Sequence, residues 1–314
     1  MAHSPAKIAL ALELRRMGKS LKEISEQTCI PRRTLNNILN HKGNARILII
    51  SDAHCGHRAG LTPPKWQYGP HTKWGRLQKE VWEWFQRTVE NLQPITHCFV
   101  LGDMLDGRGE RSGSTELITT DRLEQVEMAA EVLATVKASV YTMVYGTGYH
   151  TGDKEDWESI LAYRLPSHHQ CKIVLGSHEQ IKVNGFVFDL KHKISSSTIP
   201  HGRFTALAKA KLWNREWAER EGQAKADVFL RGHVHYFDFC GDNTFLAFCL
   251  PALQTWGSKF GERQCEGVVN TGLLWMDIPY HANRISDIDW HEVIEVFEHQ
   301  HMVLPDYDHR EPSG

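Results

Sequence analysis

Val228-Phe229-Leu230-Arg231-Gly232-His233-Val234-His235 is an apolar run that ends in a glycine and is followed by two imidazoles at i and i+2. Imidazole is the commonest protein ligand for a borderline metal. Alone the pair is a weak signal, because a His-x-His on a strand also serves structural and surface roles. Alternate residues of an extended segment point to one side. The spacing can therefore aim both rings into one site, with Val234 turned into the packing. Further ligands elsewhere in the chain decide the matter.

Four other stretches repeat the pattern. Ala45–Ser51 is β-branched-rich, as expected of a strand buried on both faces, and stops at Ser51-Asp52-Ala53-His54. Ile95–Leu101 ends in Gly102-Asp103-Met104-Leu105-Asp106, and Val140–Tyr145 ends in Gly146-Thr147-Gly148-Tyr149-His150. A hairpin around Asn184-Gly185, a strong turn signal, leads to Lys191-His192-Lys193. Strand ends are where open α/β sheets place their sites. Amphipathic helices are expected between the strands: Leu77, Val81, Phe85, Val89 and Leu92 form one stripe, Leu123, Val126, Ala130 and Leu133 another, and residues 204–221, with Leu207, Leu212 and Trp217, a third. The alternation indicates an α/β layered body.

Asp52-x-His54, Gly102-Asp103-x-x-Asp106, His150, His192 and Gly232-His233-x-His235, in that order, resemble the pattern of the calcineurin-like metallophosphoesterases over roughly residues 45–280. The resemblance implies two packed β-sheets flanked by helices, with a site for two divalent metal ions at the strand ends. Carried over position by position, it implies one metal on Asp52, His54 and His235, with Asp103 shared. The second would lie on Asp103, His192 and His233, with Asp106 and His150 as an orienter and acid pair. The family's Gly-Asn-His is absent. Either Thr147 takes the place of the Asn, its hydroxyl being a neutral oxygen ligand, or Gly148-Tyr149-His150 aligns directly and water fills that position. Mixed Asp/His ligation without Cys suits manganese first, then iron or zinc, over Mg²⁺ or Ca²⁺.

Residues 1–43 have a different character. Lys7, Arg15, Arg16, Lys19, Lys22, Arg32, Arg33 and Lys42 against Glu13, Glu23 and Glu26 give +5, leaving −7 for the rest of a chain of net charge −2. Three short helices are expected. Leu10, Leu14 and Met17 form the apolar face of the first, a capping box at Ser20-Leu21-Lys22-Glu23 opens the second, and Pro31 opens the third. The third carries Arg32, Arg33, Asn36 and Asn37. Arg and Asn make bidentate contacts with guanine and adenine edges. This segment therefore reads as a small all-α helix-turn-helix domain that contacts DNA, or else as a basic appendage used for packing. A polar linker leads to a metallophosphoesterase domain over 45–285 and a C-terminal extension over 286–314, read as a helix or edge strand and a possible contact between copies in a homo-oligomer.

Composition bounds the remaining choices. The chain has 314 residues and 19 histidines, and lacks an uninterrupted apolar stretch of the ~18 residues a membrane span needs. Seven cysteines without regular spacing fit reduced thiols and a cytoplasmic location. Residues 55–78 mix bases and aromatics with no acid, which suits a nucleic-acid backbone or a rigid loop that buries its own aromatics. Arg58, Arg108, Arg111 and Arg203 are candidate phosphate contacts. Gly107 directly after Asp106 departs from the Asp-Arg-Gly continuation of serine/threonine phosphatases. The leading expectation is a phosphodiesterase acting on DNA as a nuclease. A small-molecule phosphodiesterase or phosphatase is one alternative, and a DNA-binding regulator with a weakened phosphoesterase body is another.

Overall fold

The computed structural model describes residues 5–39, 43–110, 113–152, 155–197, 199–258 and 269–297. Three helices lead the chain: α1 (Pro5–Arg16), α2 (Leu21–Thr28) and α3 (Arg32–Leu39). In the body the elements are β1 (Ala45–Ile50), α4 (Lys73–Asn91), β2 (His97–Val100), α5 (Arg122–Val136), β3 (Val140–Val144), α6 (Gly148–Thr151), α7 (Trp157–His168) and β4 (Lys172–Gly176). There follow β5 (Glu179–Val183), β6 (Phe186–Lys191), α8 (Arg203–Glu219), β7 (Val228–Arg231), β8 (Asp238–Asp242), β9 (Phe245–Cys249), β10 (Thr271–Ile278) and β11 (Asp289–Glu295).

The strands form two mixed sheets. One has the order β11-β10-β1-β2-β3-β4, the other β5-β6-β7-β9-β8. In the first, β1 to β4 run parallel and β10 and β11 add an antiparallel edge. In the second, β6, β7 and β9 are parallel, and β5 and β8 pair antiparallel at the edges. Parallel strands need crossovers, and the helices that supply them cover the outer faces.

The continuous apolar runs follow from this layering. Ile47 and Ile49 of β1 face the second sheet, where they join Phe99, Leu101, Phe188, Leu190, Leu230 and Phe248 in one buried cluster. Leu48 and Ile50 face the other way, into a cluster with Leu77, Val81, Phe85, Val126 and Leu133 of α4 and α5. Phe229 and Cys249 face outward on the second sheet and pack under Leu207 of α8. A strand buried on both faces reads as a run, whereas one with a wet face alternates.

Several expectations need correction. Leu10 of α1 and Met17 just past its end are exposed, and Ala11 and Leu14 make the buried contacts with Ile24, Ile30 and Leu35. Leu123 is exposed because it sits in the first turn of α5, outside the stripe that Val126 begins. Leu212 and Trp217 of α8 are exposed as well. The capping box at Ser20 and Glu23 is present. Of the two readings of the C-terminal extension, Asp289–Glu295 takes the edge-strand one and pairs along β10. Residues 298–314 lie outside the described residues. Among the described residues, no helix is long and apolar enough to cross a membrane.

Candidate metal centre

The strand ends converge. Asp52 and His54 follow β1, Asp103 and Asp106 follow β2, Thr147 follows β3, His192 follows β6, and His233 and His235 follow β7. Five of these side chains sit on left-handed backbone: φ is 54° at Asp52, 46° at His54, 50° at Asp103, 76° at His233 and 55° at His235. Such conformations are uncommon without glycine, and Asp and His tolerate them better than most residues. Cross-links between the turns hold them in place. Asp52 N–H donates to Gly102 O and His54 N–H to Asp103 O, both at 3.0 Å. Gly232 is required by close approach: a Cβ there would lie 2.9 Å from Asp52 Oδ2 and 3.0 Å from the Leu101 carbonyl.

Three groups of ligand atoms result; one is His54, Asp106 and His150, and the other two are the expected metal ligands. Asp52, His54 and His235 bring one donor atom each within 4.8 Å of one another, and so do Asp103, His192 and His233. In the first group His54 Nε2 faces His235 Nε2 at 3.3 Å, and His235 Nε2 lies 3.2 Å from Asp52 Oδ1. In the second, His192 Nε2 lies 3.1 Å from Asp103 Oδ2. The i, i+2 spacing of the opening pair therefore sends its rings to different groups.

The residues fit metal ions by a direct test. Asp52 Oδ1 and His192 Nε2 are buried and take part in no hydrogen bond within the chain. Buried polar atoms are rarely left so, and a cation would satisfy both. The other ends of these ligands are already engaged. Asp52 Oδ2 accepts from His233 N–H at 3.0 Å and from the Ser51 hydroxyl. His54 Nδ1 meets Asp106 Oδ1 at 2.9 Å, and His192 Nδ1 donates to the Leu101 carbonyl. A carboxylate or carbonyl behind a ligating imidazole fixes its tautomer and aim.

Ionisation agrees with this. Burial disfavours the charged form of Asp52 and Asp103, but the neighbouring imidazoles, His235 and His192 respectively, outweigh it and hold both below the usual carboxylate range. Burial, helped by His150, pushes His54 down to about 4, so its ring is neutral. Burial works against protonation of His192 too, yet Asp103 prevails and raises it to about 10. The pocket thus stabilises positive charge where the second group converges.

The Asp106–His150 pair differs from the expected one. The Asp106 carboxylate is spent on His54, while His150 Nδ1 donates to the Asp106 main-chain carbonyl at 2.7 Å and stands 3.6 Å from the carboxylate. Asp106 therefore orients a metal-ligand candidate directly and His150 through its backbone. Thr147 lies beside Asp103. Its N–H donates to Asp103 Oδ1 at 2.7 Å, and its hydroxyl is 3.2 Å from both carboxylate oxygens.

Two features escaped the sequence reading. Glu158 of α7 is fully buried and accepts from Gly146 N–H at 2.7 Å and Met104 N–H at 3.1 Å, pinning the β2 and β3 ends together. Burial, with the Asp103 charge behind it, pushes its carboxyl up to about 7. Asp189 and Arg231 form a buried ion pair at 2.6 Å that ties β6 to β7 just before His192 and His233. Neither has a local motif, since each partner is far away in the sequence.

The arginine and loop candidates divide. Arg58 pairs with Glu116 at 2.9 Å and stacks on Trp74 at 4.5 Å, so its guanidinium is already committed. Trp66 donates to Glu124 at 3.0 Å and packs with Trp74 against the helix-side core. Within residues 55–78, Arg58, Trp66 and Trp74 are thus engaged inside the chain, while Lys65, Tyr68, His71 and Arg76 are exposed. Arg108 is exposed, Arg203 stacks on Tyr236 at 4.2 Å, and Arg111 lies outside the described residues. On α3, Arg32, Arg33 and Asn36 are exposed, and the side chain of Asn37 lies outside the described residues.

No family model and no curated protein matches the sequence. Among solved structures, an archaeal phosphodiesterase is similar at 11% identity, with a TM-score of 0.43, 80% of this chain covered and 99% of that one. A single mutant of Vps29 from Entamoeba histolytica is similar at 15% identity, with a TM-score of 0.42 and the same coverage. At these values the likeness assigns no activity.

Proposed function

We propose that the chain is a metal-dependent phosphodiesterase that acts on nucleic acid, with DNA as its substrate. The observation that carries the hydrolase reading is the convergence of Asp52, His54 and His235 beside Asp103, His192 and His233, where the buried Asp52 Oδ1 and His192 Nε2 face only ligand atoms of their own groups. When bound, a pair of divalent cations supplies Lewis acidity toward a phosphoryl group and lowers the pKa of water. Manganese suits this donor set, with iron or zinc as the other choices.

The chain's own groups then have distinct tasks. Asp103, grouped with His192 and His233, would be the ligand shared by both ions, as the resemblance implies. Thr147 holds Asp103 by two donors, the part played here by the residue in place of the family's Asn. Asp106 fixes His54. His150 keeps Nδ1 on the Asp106 carbonyl, so Nε2 is the atom that, when protonated, donates to the leaving oxygen. Arg108 is exposed, two residues past Asp106, and is a candidate contact for a flanking phosphate.

DNA as the substrate rests on α2 and α3. They form two short helices joined by a tight turn at left-handed Cys29, and they expose Arg32, Arg33 and Asn36. That surface also motivates a second reading, a DNA-binding regulator with a weak hydrolase body. A panel with Mn²⁺ separates the two: a monoester reporter, a diester reporter, single-stranded DNA, duplex DNA and RNA. The proposal expects turnover of the diester reporter and of DNA. Duplex binding with every diester left intact would favour the regulator.

A further inference from the structure

Beside the metal centre, a cleft of about 740 Å³ opens between α8 and the outward face of β5, β6 and β7. Its floor is polar and internally satisfied. Asp189 receives Arg231 at 2.6 Å, His178 at 2.8 Å and Gln180 at 3.0 Å, so the one carboxylate there is neutralised.

The walls are different. Lys191, Lys193 and Lys209 line the cleft, are exposed, and form no salt bridge among the described residues. Lys211, on the next stretch of α8, shows the contrast: it pairs with Asp242 at 3.5 Å. Trp213 and Trp217 also line the cleft, one helical turn apart, and are 56% and 52% exposed. Two large aromatic faces left this wet on a helix otherwise packed on a sheet are unusual. Gly222 lies against the Trp217 ring, where a Cβ would come within 2.9 Å.

The location connects the cleft to the candidate metal ligands. Lys191 and Lys193 flank His192, and Arg231 precedes Gly232-His233. Consecutive Cα atoms are about 3.8 Å apart, so the chain runs from one edge of the cleft directly into the second ligand group.

We propose that this cleft binds single-stranded nucleic acid, stacking bases on Trp213 and Trp217 and setting phosphates against Lys191, Lys193 and Lys209, and that it leads the strand to the metal centre. Aromatic platforms interleaved with unpaired cations are the recognition chemistry of single strands. A duplex hides its base faces and gains only the charge. Delivery to the centre rests on the hydrolase reading, whereas binding does not.

The test uses the full chain in EDTA, so that no strand is cut. Fluorescence anisotropy of a labelled twenty-nucleotide oligothymidylate reads the affinity of the parent, of K191E/K193E/K209E and of W213A/W217A, each checked for an unchanged circular dichroism melt. Each variant is expected to weaken binding at least tenfold. The lysine variant should also flatten the log–log salt dependence by about 2, the contribution of three phosphates on a single strand. Either folded variant binding within twofold of the parent overturns the proposal. So does polyglutamate displacing the strand as well as unlabelled oligothymidylate, which would point to an acidic protein partner instead. Turnover of the diester reporter by the parent with Mn²⁺ is read separately; its failure would sink the hydrolase reading and leave the binding result standing.

Discussion

Replacing Asp189 by Asn removes the charge that holds two ligand-bearing strand ends together. In the parent, Arg231 is buried, and its guanidinium meets Asp189 Oδ1 at 2.6 Å and the Asp189 main-chain carbonyl at 2.9 Å. Burial alone would raise the Asp189 carboxyl, but His178 and Arg231 outweigh it and bring it from the ordinary 3.8 to about 2. That gap corresponds to ~2.4 kcal/mol of stability. The folded value is the lower one, so the contribution is fully present above about pH 4 and is lost as pH falls toward 2. By pH 3 about 1 kcal/mol of it is gone. The amide leaves the Arg231 charge buried without its counter-charge, which costs about 3–5 kcal/mol. Urea denaturation at pH 7 should show a loss in that range, and a pH series should show the variant's acid slope shallower than the parent's. A loss under about 1 kcal/mol at pH 7, or identical slopes between pH 5 and 3, would refute the assignment of this pair as the tie between β6 and β7.

Other parts of the account are tested by smaller changes. Gly232→Ala drives a Cβ against Asp52 Oδ2 and the Leu101 carbonyl. It should cost about 1–3 kcal/mol in thermal stability and weaken Mn²⁺ binding in calorimetry by at least tenfold; unaltered binding would show that Asp52 is not a ligand. Glu158→Ala frees the buried Gly146 and Met104 amides. Hydrogen exchange at those two amides should accelerate at least tenfold, and unchanged protection would mean Glu158 pins nothing. Arg32→Ala with Arg33→Ala should weaken duplex DNA binding and reduce the salt slope by about 2; an unchanged slope would remove α3 from the interface.

The parts of the fold legible in the sequence were those where one physical constraint acts alone. Ile47–Ile50 and Val228–Leu230 read as strands because both of their faces are buried. The Asn184-Gly185 turn read correctly because both residues take positive φ, 46° and 93°. Phe245–Cys249 and Thr271–Ile278 are strands as well, but no candidate metal ligand follows them, so they lack the signature that marks the others. Helix faces were harder to read. Leu10 and Leu123 fit a 3.6-residue period yet lie at the margin of the stripe, and only the packing partner decides which edge is covered.

The ligand set was legible because each member follows a strand end. Its supports were not. The Asp106 carboxylate serves His54 rather than His150, a choice made by turn geometry that spacing alone does not encode. The loop at 55–78 had the composition of a nucleic-acid track, and its Arg58 and Trp66 are instead held by Glu116 and Glu124. A basic aromatic cleft exists, but it is assembled from residues 191–217, whose components are scattered in sequence.

The central claim is that Asp103 joins two metal ions in a site that cleaves phosphodiesters. Metal content after desalting, measured together with diester-reporter turnover, tests it most directly in the parent and in Asp103→Asn. The parent should hold two Mn²⁺ per chain and turn over the reporter. The variant should hold fewer and lose at least about 100-fold in rate, since even residues that only orient ligands cost 10–100-fold when removed. A variant that binds two equivalents and works at the parent rate would contradict the account.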